Sequence, residues 1–157
     1  MKSRYVPTVF VVLGVVAASA FLRSPVLGQE ANKEKSLYER LGGYDAISGV
    51  VDDFAPKLFN DPVVGKRFFG MSDDSREGFR QKNKNLLCRV TGGPCQVISR
   101  TAKVTHGGLG IKASEFNIVV GHIIDSLNKF KVPEQEQQGL KAIVASLRPD
   151  IVEVEDQ

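Results

Sequence analysis

Ile47, Val50, Val51, Phe54 and Leu58 recur at i, +3, +4, +7 and +11. That spacing puts all five on one face of a helix and cannot serve a strand. The same period returns at Phe79, Asn83, Leu86, Leu87 and Val90, then from Phe116 through Val119, Val120, Ile123, Ile124 and Leu127 to Phe130. It returns a last time at Leu140, Ile143, Val144 and Leu147. Strand alternation never persists and no repeat of solenoid length is present. Each apolar stripe needs another to bury it, so the fold class expected is all-α.

Capping and breaking residues divide the stripes. Ser36-Leu37-Tyr38-Glu39 fits a capping box opening a short helix that Gly42-Gly43 ends. Pro56 is expected to kink or shorten the next helix. Asp61-Pro62 starts a segment closed by Phe68-Phe69, and Ser72–Ser75 offers N-caps for a helix through Val90, stopped by Gly92-Gly93-Pro94. A short helix around Arg100–His106 runs into Gly107-Gly108-Leu109-Gly110-Ile111. Ser114 is the expected cap of the following helix, Val132-Pro133 opens the last one and Pro149 stops it.

Residues 1–28 read as an address. Lys2 and Arg4 form a positive start, Val9–Ala20 is apolar, and Ala18-Ser19-Ala20 or Val26-Leu27-Gly28 supplies a cleavage site. The wider stretch Val6–Leu22 is interrupted by Pro7 and Gly14, which argues for an export signal over a membrane anchor. The expected location is therefore periplasmic or secreted, with membrane contact only if this segment is uncleaved. The formal charge of +3 over 157 residues is misleading. Lys2, Arg4 and Arg23 all lie in this segment, which has no acid, so the remainder carries no net charge and offers no electrostatic case for nucleic acid. Residues 29–35 form a polar linker, 36–153 the domain, and 154–157 a tail.

Export places Cys88 and Cys95 where thiols oxidise, and the Gly92-Gly93-Pro94 turn between them can bring the chain back on itself. A structural disulfide is expected, the alternative being two reduced thiols in the core. The spacing suits neither a redox Cys-x-x-Cys nor a zinc or covalent haem motif. Other chemistry is scarce. No arrangement of Ser or Cys with His and an acid announces nucleophilic catalysis, and Asp52-Asp53 and Asp73-Asp74 read as solvated helix surface and cap. The basic side of one helix, Arg80, Lys82, Lys84 and Arg89, reads as solvated or as a partner for acidic groups. His122, mid-helix in an apolar run, reads as a satisfied core histidine. His106 ends a short helix before three glycines that let something flat approach the backbone. From spacing alone it is a capping histidine, although one imidazole beside an apolar pocket can hold a haem iron.

A wider set of residues decides between these readings. Leu37-Tyr38-Glu39-Arg40-Leu41-Gly42-Gly43, Val51-Asp52-Asp53-Phe54, Asn60-Asp61-Pro62, Phe68-Phe69 and Thr91-Gly92-Gly93-Pro94 occur in order. His106, Gly108, Gly110, Ile111, Phe116, Gly121-His122 and Asp150-Ile151-Val152-Glu153 follow. Together they resemble the group I truncated haemoglobins across about Ser36–Glu153. The resemblance implies a shortened two-over-two helical sandwich around haem b, with His106 as the proximal iron ligand. It makes Phe69 the aromatic wedged against the porphyrin, with Phe68 as the alternate, and puts Phe79, Lys82, Asn83 and Leu86 on the distal side. Phe54, Leu109 and Ile111 complete the expected contacts.

Two departures follow from the same resemblance. The family's distal tyrosine falls at Ala55, and the aromatic after the Gly-Gly turn is Val97. Hydrogen bonding to a bound gas is then expected from Asn83, and Lys82 is expected at a propionate, its alternative being a sixth iron ligand. The function implied is reversible binding of oxygen or another diatomic gas. The alternatives are nitric-oxide dioxygenation and a non-enzymatic haem or gas sensor or helical binding module. No redox partner is identified.

Overall fold

The computed structural model describes residues 34–98 and 100–156. The segment expected to be an export signal, residues 1–28, and most of the expected linker, residues 29–35, lie outside them. Among the described residues seven α-helices follow in order: α1 Leu37–Arg40, α2 Gly43–Asn60, α3 Asp73–Val90, α4 Ala102–His106, α5 Ala113–Lys129, α6 Glu134–Ser146 and α7 Arg148–Ile151. A 3-10 turn, Val64–Phe68, joins α2 to α3. Among the described residues the sole β-type pairing is one bridge between Lys112 and Val154. The domain is all-α, as the apolar stripes require.

Helix α2 is the central element, packing against α3 on one side and α5 on the other. Its stripe is buried throughout at Ile47, Val50, Val51, Phe54 and Leu58. Pro56 sits inside α2 without ending it. The helix loses one backbone bond there, but Phe54, Ala55 and Leu58 on either side are buried, and that packing outweighs the local break. Pro149 likewise does not stop the chain: it lies in the first turn of α7, where no N–H is needed.

Other boundaries follow the capping chemistry. Ser36 and Glu39 form the reciprocal capping box of α1, and Ser72 caps α3 by accepting from the Ser75 amide. Ser114 is not a cap; it lies inside α5, after Lys112, and bonds the Asp156 carboxylate instead. Two residues assigned to buried faces, Phe130 and Val90, are exposed at the ends of α5 and α3.

Cys88 and Cys95 are disulfide-bonded, with Cα atoms 5.8 Å apart. The bond holds the end of α3 to the turn that follows, within a cluster of Ile47, Val51 and Cys88 against Tyr38 and Tyr44. Gly93 is required there. A Cβ would fall 2.6 Å from Tyr38 Cδ2 and 2.7 Å from Cys88 Sγ, closer than real contacts allow. The carboxylate of Asp53 is not solvated surface. It accepts hydrogen bonds from Ser126, Lys57 and Lys129, which ties α2 to α5.

Candidate haem site

His106 is the last residue of α4, whose start Thr101 caps by accepting from the Val104 amide. Its Nδ1 lies 2.8 Å from the Ala102 carbonyl oxygen. A carbonyl can only accept, so in the neutral ring Nδ1 carries the proton and Nε2 keeps its lone pair. The ring is half-buried. An imidazole fixed through one nitrogen by a carbonyl, with the other free, is the usual donor arrangement for a metal.

The apolar part of the predicted site assembles around α2. Phe54, Leu58 and Val64 form a buried cluster, and Phe68, Phe79, Ile118, Val119 and Ile123 pack on it while remaining partly buried. The rings of Phe59, Phe68 and Phe79 meet edge to face at 5.3 to 5.5 Å, the favoured aromatic geometry. Phe68 is therefore turned inward, whereas Phe69, the next residue, is 95% exposed. Along α3, Asn83 and Leu86 are half-buried and Lys82 is exposed. Asn83 Nδ2 donates to the Phe79 carbonyl at 2.8 Å, leaving its amide a second hydrogen. Leu109 is exposed and Ile111 buried. The structure thus brings Phe54, Phe68 and Phe79 together, while His106 stands on a separate element that packs against α7.

The donor set suits an iron porphyrin: one neutral imidazole nitrogen, half-buried apolar side chains on α3 and α5, and no carboxylate or thiolate in that group. Among the described residues no cluster of three or more His, Cys, Asp or Glu can hold a bare metal ion. An apolar cavity of about 180 Å³ lies elsewhere, lined by Ile47, Val50, Leu127 and Leu140, and includes none of the predicted site residues.

Several contacts around His106 have no local pattern in the sequence. Glu153 accepts from the amides of Gly108 and Gly110, and Arg67 donates to the carbonyls of Leu109 and Gly110 while pairing with Glu115. These contacts hold both carboxylates below the ordinary range, through the Gly108 amide first for Glu153 and through Arg67 first for Glu115. Their partners are 42 to 48 residues away in sequence, beyond any local pattern. His122 is satisfied as expected, with Nε2 at 2.8 Å from Asp61. The basic side of α3 is partly spent within the protein: Lys84 pairs with Asp52 and Arg80 with Glu77.

Comparison with known proteins agrees with this geometry. Residues 36–153 match the family model of the bacterial-like globins. The group 1 truncated hemoglobin GlbN of Mycolicibacterium paratuberculosis is 29% identical over 116 residues, which cover 74% of this chain and 83% of that protein. The group 1 truncated hemoglobin LI410 of Chlamydomonas moewusii is 28% identical over 124 residues, 78% of this chain and 71% of the relative. In three dimensions the Fe(III) truncated hemoglobin of Tetrahymena pyriformis superposes with a TM-score of 0.70 at 19% identity, covering 75% of this chain and 98% of the other. A group II truncated hemoglobin from Bacillus anthracis superposes almost as well, at 0.68 and 16% identity over 78% of this chain and 95% of its own, so the helical framework is shared beyond one group. With its family model spanning every element from the α1 cap to Glu153, the chain belongs to the bacterial-like globins, proteins that bind haem and, through it, a diatomic gas.

Proposed function

We propose that this chain is an exported truncated globin that binds oxygen, or another diatomic gas, on a haem b held by His106. The observation that carries the reading is the 2.8 Å contact from His106 Nδ1 to the Ala102 carbonyl. It fixes the tautomer that leaves Nε2 as a neutral metal donor and keeps the ring from rotating. The haem iron, once bound, supplies an open coordination position for the gas.

Every other task falls to side chains. Phe54, Phe79 and Leu86 exclude water from the distal side, and Asn83 offers the amide hydrogen that the Phe79 carbonyl leaves free. Phe69, exposed beside the inward Phe68, is the ring available to lie against the porphyrin. Leu109 and Ile111 flank the proximal side. Lys82, exposed and without an ion pair among the described residues, is suited to a propionate, where a flexible ammonium meets a carboxylate. Export is supported by the charge and apolar pattern of residues 1–28 and by the disulfide, a bond of oxidising compartments.

The test is spectroscopic. The full chain, offered haem, should give ferric and ferrous Soret and visible bands of a histidine-ligated haem, and His106→Ala should lose them. Full retention of those bands by the variant would place the ligand on another side chain. A purified exported protein whose mass still included Met1 would overturn cleavage of the signal.

A further inference from the structure

This inference rests on the reading of His106 as the iron ligand, and it concerns the loop that follows that residue. Gly108 and Gly110 take positive φ values of 79° and 60°. Glycine gains no preference for those angles from its own side chain, so the loop needs outside contacts to keep one shape. It has them on two sides. The Glu153 carboxylate accepts from the Gly108 amide on Oε1 and from the Gly110 amide on Oε2, each at 2.5 Å. Arg67 reaches the same loop from the 3-10 turn, donating from Nη1 to the Leu109 carbonyl at 2.8 Å and from Nη2 to the Gly110 carbonyl at 3.3 Å.

Arg67 does more than staple a loop. Its Nε and Nη2 also fork onto Glu115 at 2.7 and 2.6 Å, and Glu115 in turn accepts from the Lys112 amide at 2.9 Å. Arg67 immediately precedes Phe68 and Phe69. One guanidinium therefore spans three pieces of the site: the corner that carries the two phenylalanines, the loop after His106, and the first turn of α5. The Glu115 side chain is 12% exposed and that of Arg67 32%, so the carboxylate half of the fork is the better covered. A lysine cannot reproduce this, because a single ammonium lacks the planar fork that meets a carboxylate and two carbonyls together.

We propose that Arg67 is a positioning residue, coupling the Phe68-Phe69 corner to the loop after His106 so that the corner sets the pitch of the imidazole toward the metal. An ordinary surface ion pair would contribute a little stability and nothing else. A positioning residue must change the metal–histidine bond itself.

Two readouts separate these cases in the full-length chain. The first is amide hydrogen exchange at Gly110 without haem, expected to be about tenfold faster in Arg67→Gln. The second is the iron–histidine stretching band of the reduced, haem-loaded protein, expected to shift or broaden in Arg67→Gln and in Arg67→Lys alike. Glu115→Gln weakens the same fork with little change of shape and serves if the arginine variants fold poorly; it should move both readouts in the same direction. Arg67→Gln with unchanged exchange and an unchanged band would overturn the proposal, as would full rescue by Arg67→Lys. His106→Gly is the control. If it abolishes the band while Arg67→Gln leaves it untouched, the positioning role alone falls; if the band survives in His106→Gly, the ligand reading falls with it.

Discussion

His122 presents Nε2 to the Asp61 carboxylate at 2.8 Å, across 61 residues of sequence. Asp61 also accepts the amides of Val63 and Val64, and these contacts, the Val64 amide first, hold it below the ordinary carboxylate range. The nitrogen that His106 leaves free is thus the one that His122 has engaged. The two histidines should separate cleanly on substitution. His122→Phe removes a hydrogen bond to a charged acceptor and should lower the unfolding free energy. The same variant should leave the haem spectrum unaltered. His106→Ala should do the reverse. Urea unfolding and absorption spectra on both variants check this, and a spectral change in His122→Phe would assign it a role at the haem.

The disulfide closes a short loop, Cys88 to Cys95. Chain-entropy arithmetic for a loop of that size gives about 2.5 kcal/mol. Cys88→Ala/Cys95→Ala should lose about that much, seen as a lower denaturant midpoint with an unchanged slope. Reduction of the native protein should match it. The end of α3 should fray first, because Cys88 is fully buried against Ile47 and Val51.

Asp53 should govern the acid limb of stability. Lys129 first, then Lys57 and Ser126, hold its carboxyl far below its ordinary value of 3.8. A carboxyl whose folded value is depressed contributes stability that is present above the unfolded value and lost as pH falls toward the folded one. That contribution should therefore persist to about pH 4 and decline below it. Asp53→Asn should destabilise the protein by about 1–3 kcal/mol at pH 7 and flatten the decline between pH 4 and pH 2. Parallel curves for both proteins across that range would remove Asp53 from the account.

These residues also show what local sequence can carry. The Ser36–Glu39 capping box, the Ser72 cap and the stop at Gly92-Gly93 were legible because each is decided within four residues of chain. The stripe of α2 was legible because its period is a property of the helix itself. Pro56 does not shorten α2, because packing on either side outweighs the missing N–H, and Pro149 falls at a helix start that needs none. Arg67 with Glu115, Glu153 with Gly108, and Asp53 with Ser126 stayed hidden for another reason. Their separations of 48, 45 and 73 residues are set by the fold, and nothing near any one of them names its partner. His106 is singled out by the resemblance alone, and the carbonyl that orients it is visible only in the structure.

The distal side gives the sharpest prediction about gas binding. Ala55, where the resemblance would lead one to expect a tyrosine, is wholly buried and carries no hydroxyl. Asn83 commits one amide hydrogen to the Phe79 carbonyl and can donate the other. A neutral hydrogen bond contributes about 0.5–1.5 kcal/mol, which corresponds to about a two- to tenfold change in a dissociation rate. Asn83→Leu keeps the volume and removes the donor, so oxygen should leave about two- to tenfold faster in stopped-flow displacement. Lys82→Ala should leave both that rate and the ferric spectrum unchanged, since an ammonium at a propionate neither reaches the gas nor ligates iron. If instead Lys82→Ala alters the ferric spectrum and Asn83→Leu leaves the rate alone, lysine is the distal group. The amide's bond to Phe79 would then be purely structural.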